Sequence, residues 1–354
     1  MNEPALRALC ARIPALDPAV AARTQALLDG KTKPRRSLGR LEELACRVAA
    51  IRGEDAPALG DKAMVVMAAD HGVAEEGVSA YPQEVTAQML LNFARGGAAI
   101  NVLARQAGAR VVVVDMGVRE PLAGAPPEIR ARRVGPGTQN FTRGPAMSRE
   151  QALEAIGAGA AIAEELAASG VGLVGIGEMG IGNTTSASAL TALLTGAAPE
   201  EVTGRGTGID DAGLRRKVDA IRRGLALHRP GGDALSALAQ LGGFEIAGLA
   251  GVVLGAAAAR VPVIADGFIA GVAALCAARI EPRAAACLLP SHRSVEVGHR
   301  LVLQALELRP LFDLELRLGE GTGAALAMGL VESSLRILHE MATFAAAGVS
   351  DTGR

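Results

Sequence analysis

Aromatic side chains are scarce in this chain: six Phe, one Tyr (Tyr81) and no Trp, together 2 % of the residues. Few rings are therefore available to stack on bases, and 36 Lys+Arg against 37 Asp+Glu leave no excess positive charge, which argues against nucleic-acid binding. Cysteine is also sparse. Cys10, Cys46, Cys276 and Cys287 stand far apart with no CxxC, which speaks against a disulfide scaffold or a structural zinc site and suits a reducing cytosol. No apolar run is long enough to span a bilayer: the uncharged stretch Ile246–Ala259 is too short, and Arg260 and Asp266 interrupt its continuation. A buried Ala/Gly helix followed by a strand explains it better. Glu3, Arg7, Arg12 and Asp17 near the start do not suit a signal peptide. What is abundant is small and aliphatic. Half of the 354 residues are hydrophobic and 44 are Gly, enough for a sizeable core of Ala, Val, Leu and Ile packed around small residues.

The apolar pattern changes along the chain. Residues 1–30 read as a helical segment carrying Leu6, Leu9, Ile13 and Leu16, and a second helix is expected from about Ser37 with Leu38, Leu41, Leu44 and Val48 on one side. Short apolar runs follow, each about one strand long: Ala63–Ala69, Arg110–Val114, Val171–Ile176, Val261–Ala265 and Ala285–Leu289. Continuous rather than alternating apolar character suits strands buried on both faces. The expected fold is α/β, a Rossmann-like, mostly parallel sheet flanked by helices. Thr322 to about Ala347 reads as one helix or a broken pair. The terminal segments, 1–58 and 322–354, are expected to form a smaller helical domain beside a large α/β domain, 59–321, that carries the site. Each run ends in a polar cluster: Asp70-His71-Gly72, Asp115-Met116-Gly117, Gly177-Glu178-Met179-Gly180, Asp266-Gly267 and Pro290-Ser291-His292. Ligands of open parallel sheets bind beyond the carboxyl ends of the strands, so these clusters predict one large pocket at that edge.

The densest signal is GIGEMGIGNTT, Gly175–Thr185, after an apolar run and opening an Ala/Ser-rich helix. Its glycines allow close backbone approach, free N–H groups at a helix start attract phosphate, and Asn183, Thr184 and Thr185 add caps or donors. The same stretch contains a formal GxGxxG, but no strand ending in an acidic residue follows at the distance a dinucleotide fold needs; Glu200 and Glu201 come after Gly196-Ala197-Ala198-Pro199. A tight turn without a ligand is the plainer alternative. In LGEGTGAAL, Leu318–Leu326, Glu320 sits between glycines before a helix and serves either as a cap at the positive helix end or as a base in the pocket. Lys217, after the Gly-rich turn Gly204–Asp210, is either a phosphate partner or a solvated helix lysine. His71 beside Asp70 is read as a hydrogen-bonded loop imidazole ahead of a metal ligand, since no His pair has HExxH or HxH spacing. Ser79–Met89 mixes polar and apolar groups. There Ser79 and Gln88 could face a flat heterocycle with Tyr81 and Met89 as apolar walls, or the stretch could be a surface turn and amphipathic helix. No GxSxG elbow or Walker A pattern is present.

Taken together, the blocks SLGRLEELA, ADHGVAEEGVSAYPQEVTAQML, NFARGGAAINVLAR, VVDMGV, GTQNFTRGPAM, GIGEMGIGNTTSASAL, GRGTGIDD, GGFEIAGLAGVVLGAA, IADGFI, SHRSVEVGH and LGEGTGAALAM, spread over about residues 37–330, resemble the nicotinate-nucleotide–dimethylbenzimidazole phosphoribosyltransferases of the cobalamin pathway. The resemblance implies transfer of phosphoribose from nicotinate mononucleotide to a benzimidazole nitrogen with inversion at C1′. It implies Glu320 as general base and Glu178 as a second acidic group. Ser79, Tyr81, Gln88, Met89 and Leu318 would lie near the base. Gly180, Gly182, Asn183, Thr184, Lys217, Asp266, Gly267 and Ser294 would lie near the nucleotide. It further implies no metal or cofactor, a cytoplasmic homodimer, and no nucleic-acid or membrane partner. Two departures stand out: Arg35-Arg36 precedes SLGRLE where the family commonly has Pro-Gly or similar small residues, and Val295-Glu296-Val297 stands where Ala and Pro or Lys are more usual.

Overall fold

A computed structural model describes residues 1–122, 124–228 and 233–350. Six strands form one parallel sheet: β1 (Asp61–Ala69), β2 (Ala109–Gly117), β3 (Ile129–Ala131), β4 (Val171–Met179), β5 (Val263–Ala265) and β6 (Leu288–Pro290), in the order β3-β2-β1-β4-β5-β6. This is the doubly wound order, and it reverses between β1 and β4. The expected strands are present with shifted ends. Pro282–Cys287 is a 3-10 helix, so the last strand starts at Leu288 rather than Ala285. β3 lacks an apolar run because it is a three-residue edge strand, Ile-Arg-Ala, paired only with β2.

Alternation along β1 sends Met64 and Met67 to opposite faces of the sheet. Met64 meets Gly175 and Gly321, the residue that precedes the helix Thr322–Glu340, and Met67 meets Gly248 of the buried helix Phe244–Ala258. The latter helix crosses Arg149–Ala168 so closely that a Cβ on Gly159 would overlap the Gly248 carbonyl, and one on Gly251 the Ile156 carbonyl. Aromatic scarcity and glycine abundance thus have one structural cause here: helices pack backbone to backbone, leaving no room for rings.

The first thirty residues form two helices, Glu3–Ala11 and Pro18–Asp29. Asp17 caps the second, its carboxylate accepting from Ala19 N at 2.9 Å with Pro18 at the first turn. The next helix, Arg40–Arg52, begins after a turn in which Arg36 takes φ +57° and Gly39 φ +50°. Arg36 therefore adopts a left-handed conformation that glycine takes without steric cost. The C-terminal segment is a broken pair, Thr322–Glu340 and Phe344–Ala347, the second capped by Thr343. No helix among the described residues is long and apolar enough to cross a membrane.

Candidate active site

Beyond the ends of β4, β5 and β6 lies a cleft of about 280 Å³ walled by Glu178, Gly180, Asn183, Thr184, Gly206, Thr207, Gly267, His292, Ser294, Glu296 and the Arg317–Gly319 loop, with Tyr81 at its edge. Larger cavities exist among the described residues: one of about 450 Å³ against the N-terminal helix, one of about 470 Å³ beyond β1 and β2, and one of about 390 Å³ near the start of β1, beside Lys62 and Glu332. The smaller cleft is the candidate because buried ionisable groups from distant parts of the chain meet there.

One end is acidic. Glu178, the penultimate residue of β4, is 6 % exposed; its Oε2 accepts from the Asn183 amide and its Oε1 lies against Gly319. Burial first, and then the charge of Glu245, push its carboxyl up to about 8, against the Asn183 hydrogen bond; Asp266 and Glu320 add to the rise. Glu320 has φ +61° between Gly319 (φ +81°) and Gly321 (φ +97°), a left-handed turn that an ordinary side chain adopts at a cost. Its Oε2 accepts from Ile100 N at 3.3 Å, at the start of the helix Ala99–Gln106, and burial raises its carboxyl above the usual range against that bond. Glu320 thus meets a helix N-terminus, but not that of the helix it precedes. The Thr322–Glu340 start is served by Asp266, whose oxygens accept from Gly321 N at 3.2 Å and Ala324 N at 3.0 Å. Burial lifts Asp266 to about 7 even though backbone N–H groups oppose the rise.

The other end is basic. Lys217 is fully buried: its Nζ donates to Thr184 Oγ1 at 2.8 Å and to the Gly204 carbonyl at 3.2 Å, so it is not a solvated lysine. Burial lowers the ammonium to about 8, with the Glu296 charge opposing. Ser294 donates its N–H to His299 Nδ1 at 2.9 Å, and burial pulls that imidazole down to about 3. At the Gly-rich loop, the N–H groups of Asn183 and Thr185 return to the carbonyls of Gly180 and Gly182, and Ile181 N donates to Thr86 Oγ1. The loop therefore keeps several of its amides for itself. His71 is buried and engaged at both nitrogens, Nδ1 with Ser186 Oγ at 3.0 Å and Nε2 with Glu245 Oε1 at 2.7 Å. Among the described residues no group of three or more potential metal ligands occurs.

The phosphoribosyltransferase family profile matches residues 13–349. The nicotinate-nucleotide–dimethylbenzimidazole phosphoribosyltransferase of Roseiflexus sp. (strain RS-1) is 58 % identical over 341 residues, covering 96 % of each chain, and that of Geobacter sp. (strain M21) is 52 % identical, covering 98 % of this chain and 99 % of the other. The chain belongs to this family. The solved structure of CobT from Thermus thermophilus superposes with a TM-score of 0.90 at 52 % identity, covering 94 % of this chain and 99 % of that one.

Of the site residues expected from the sequence of this phosphoribosyltransferase family member, Glu178, Gly180, Asn183, Thr184, Gly267, Ser294, Leu318 and Tyr81 line the cleft. Glu320 lies one residue behind Gly319, and Lys217 directly behind Thr184. Ser79 stands at the rim, its hydroxyl 3.3 Å from that of the lining residue Thr207. Gly182, Gln88 and Met89 are not in the wall. Gly182 takes φ +95° as the N-cap of the helix Asn183–Thr195, Gln88 is exposed on the helix Glu84–Ala94, and Met89 packs partly against the core. Asp266 is turned into the helix start rather than into the cleft. Sequence reasoning did not single out Thr207, Glu296 or Arg317 as site residues, yet all three line it. The burial of Lys217 did leave a signal: Gly213, Lys217, Ala220, Ile221 and Gly224 form the inward stripe of the helix Asp211–His228 at helical spacing.

Proposed function

We propose that this protein transfers the phosphoribosyl group of nicotinate mononucleotide to 5,6-dimethylbenzimidazole, releasing nicotinate and α-ribazole 5′-phosphate, in lower-ligand synthesis for cobalamin. The observation that carries the reading is the meeting of Glu178 with the Gly319–Gly321 turn at one end of a cleft whose other end holds Ser294, Gly267 and the Thr184–Lys217 contact. Phosphate sits at the lysine end. The benzimidazole lies at the carboxylate end and attacks C1′ with one ring nitrogen. The C1′–N bond to nicotinate breaks, and its electron pair returns to the pyridinium, which leaves as a neutral ring and needs little help from an acid. The proton on the second benzimidazole nitrogen passes to Glu320. A base placed in this way contributes roughly 10²–10⁴-fold. Carboxylate charge near C1′ stabilises oxocarbenium character in the transition state.

A homodimer in the cytoplasm belongs to the same reading. Tyr81 and Leu318 at the mouth, and Leu314, Val295 and Val297 on the adjoining segments, are all more than half exposed, which supports a second copy covering them. A monomer mass by light scattering would remove the dimer. Four free cysteines suit a reducing compartment. A smaller helical domain of residues 1–58 and 322–354, of which 351–354 lie outside the described residues, is supported by the packing of Pro18–Asp29 and Arg40–Arg52 on each other and on Thr322–Glu340, and by the Lys31–Thr343 bridge.

The test of the reaction is direct. Purified protein incubated with nicotinate mononucleotide and 5,6-dimethylbenzimidazole is expected to yield nicotinate and α-ribazole phosphate, identified by chromatography and mass spectrometry. Folded protein that releases nicotinate with neither this base nor simple benzimidazoles and adenine would overturn the reading.

A further inference from the structure

His292 follows β6, stands in the wall of the cleft and is 3 % exposed, yet the transfer chemistry gives it no task. Its backbone is pinned on both sides: Leu311 N donates to the Ser291 carbonyl at 2.7 Å, and Arg293 N to the Phe312 carbonyl at 3.0 Å. Its ring stacks on Phe312, with centroids 6.1 Å apart and planes at 19°. A Cβ on Gly323, in the first turn of the helix that follows Glu320, would overlap Nδ1, so that helix closes one edge of the ring. The other edge lies toward Gly267 in the wall, where a Cβ would stand 3.4 Å from His292 Cε1, 3.6 Å from Nε2 and 3.7 Å from Ser294 Cβ. The imidazole thus sits midway, between the helix start behind Glu320 and the Gly267–Ser294 end of the cleft.

Its hydrogen bonds fix which nitrogen carries the proton. Ser291 Oγ lies 2.6 Å from the Asp266 carbonyl and 3.2 Å from His292 Nδ1. A carbonyl only accepts, so the single serine proton is committed there. The same oxygen then accepts from Nδ1, which must carry the ring proton. Asp266 Oδ1, 4.0 Å from Nδ1, favours the same arrangement. Burial holds the imidazole below its usual range, against the charge of Asp313, which keeps the ring neutral. Nε2 is therefore a bare acceptor, and among the described residues nothing donates to it. A fixed acceptor in a mostly enclosed wall favours a ligand that brings a donor, because an unpaired one costs binding energy.

Above pH 7 nicotinate mononucleotide has hydrogen-bond donors only on its ribose. Its phosphate and carboxylate are ionised, and the ring nitrogen bonded to C1′ bears no proton. We infer that His292 is a specificity-determining residue: its Nε2 accepts a hydrogen bond from a ribose hydroxyl of the nucleotide and so selects ribosyl over deoxyribosyl substrates, with Ser291 as the positioning residue that fixes the tautomer. This inference rests on the proposed nucleotide substrate. The N–H of a benzimidazole is the other donor that could reach the cleft, so the test is made without that base.

Titration calorimetry with nicotinate mononucleotide and its 2′-deoxy and 3′-deoxy analogues reads the contact without turnover. Wild type is expected to bind one of the two analogues about tenfold more weakly than the nucleotide. His292→Phe keeps a ring on Phe312 and removes the acceptor. It is expected to bind the nucleotide about tenfold more weakly and to lose the discrimination, which a merely structural role would not produce. Ser291→Ala frees the tautomer and should narrow the same gap. Equal binding of all three ligands by wild type overturns the inference. So does a gap that persists in His292→Phe or, where that variant does not fold, in Ser291→Ala. Discrimination without transfer to any base leaves the inference standing and removes the reaction; transfer without discrimination does the reverse; a wild type that binds none of the three overturns both.

Discussion

The two ends of the cleft bury opposite charges in the same way. At one end Glu178 sits among other carboxylates; at the other the ammonium of Lys217 is enclosed by a hydroxyl and a carbonyl. Burial drives both toward their neutral forms, Glu178 up to about 8 and Lys217 down to about 8. The difference lies in what the substrates bring. In the proposed reaction a phosphate meets Lys217 and offsets the burial that disfavours its ammonium form. In the same proposed reaction the benzimidazole meets the acidic end neutral and loses a proton, so one carboxylate there is needed as the acceptor. That division separates Glu320, held by a helix N-terminus, from Glu178, held by an amide.

Replacing the base should break the comparison most sharply. Glu320→Gln is expected to lower kcat by roughly 10²–10⁴-fold with the KM for nicotinate mononucleotide nearly unchanged. Steady-state kinetics would show it, and unchanged turnover would take the base role from Glu320. At the opposite end the split should reverse. Lys217→Met removes a charge-assisted contact of about 1.5–3 kcal/mol, so the nucleotide KM should rise roughly 10–100-fold with kcat less affected.

The same two sites should differ in how their stability follows pH. The folded form holds the Glu178 proton up to about 8, whereas an unfolded glutamate releases it near 4.5. Stability should therefore fall as pH rises between these values, and Glu178→Gln should abolish that fall, with its Tm advantage growing from pH 5 to pH 8. For Lys217 the ordinary value is 10.5 and the folded one about 8, so burial costs stability at and below pH 8 and the cost fades as pH approaches 10.5. Calorimetry should find Lys217→Met stabilising at pH 7 and progressively less so above pH 8. A variant outside both ends should give the smallest effect. Arg36→Gly relieves the left-handed strain at φ +57° and should add about 1 kcal/mol in urea denaturation with kinetics unchanged.

Much of the fold was legible because it is local. Apolar runs marked the long strands, and polar clusters marked where each strand ends. The edge strand β3 escaped notice because three residues, one of them Arg130, carry no periodicity. At the site, Glu320 was readable as a Gly-flanked carboxylate with two possible roles, but its donor, Ile100, lies 220 positions away. Asp266 looked like a ligand group after a strand, yet it caps a helix that begins more than fifty residues later. His71 stood out beside Asp70 in the sequence, but its partner Glu245 lies 174 positions away and only folding brings it to 2.7 Å.

The sequence by itself determined the parallel α/β sheet, the edge at which the candidate cleft opens and the membership in a family, since strand length, turn chemistry and motif order are written in neighbouring residues. Tertiary structure alone decided the protonation pattern: which carboxylate meets a helix start, which meets an imidazole and which is left with an amide. A carboxyl group's charge depends on the donors and charges that surround it in space, and here those come from segments far apart in the chain.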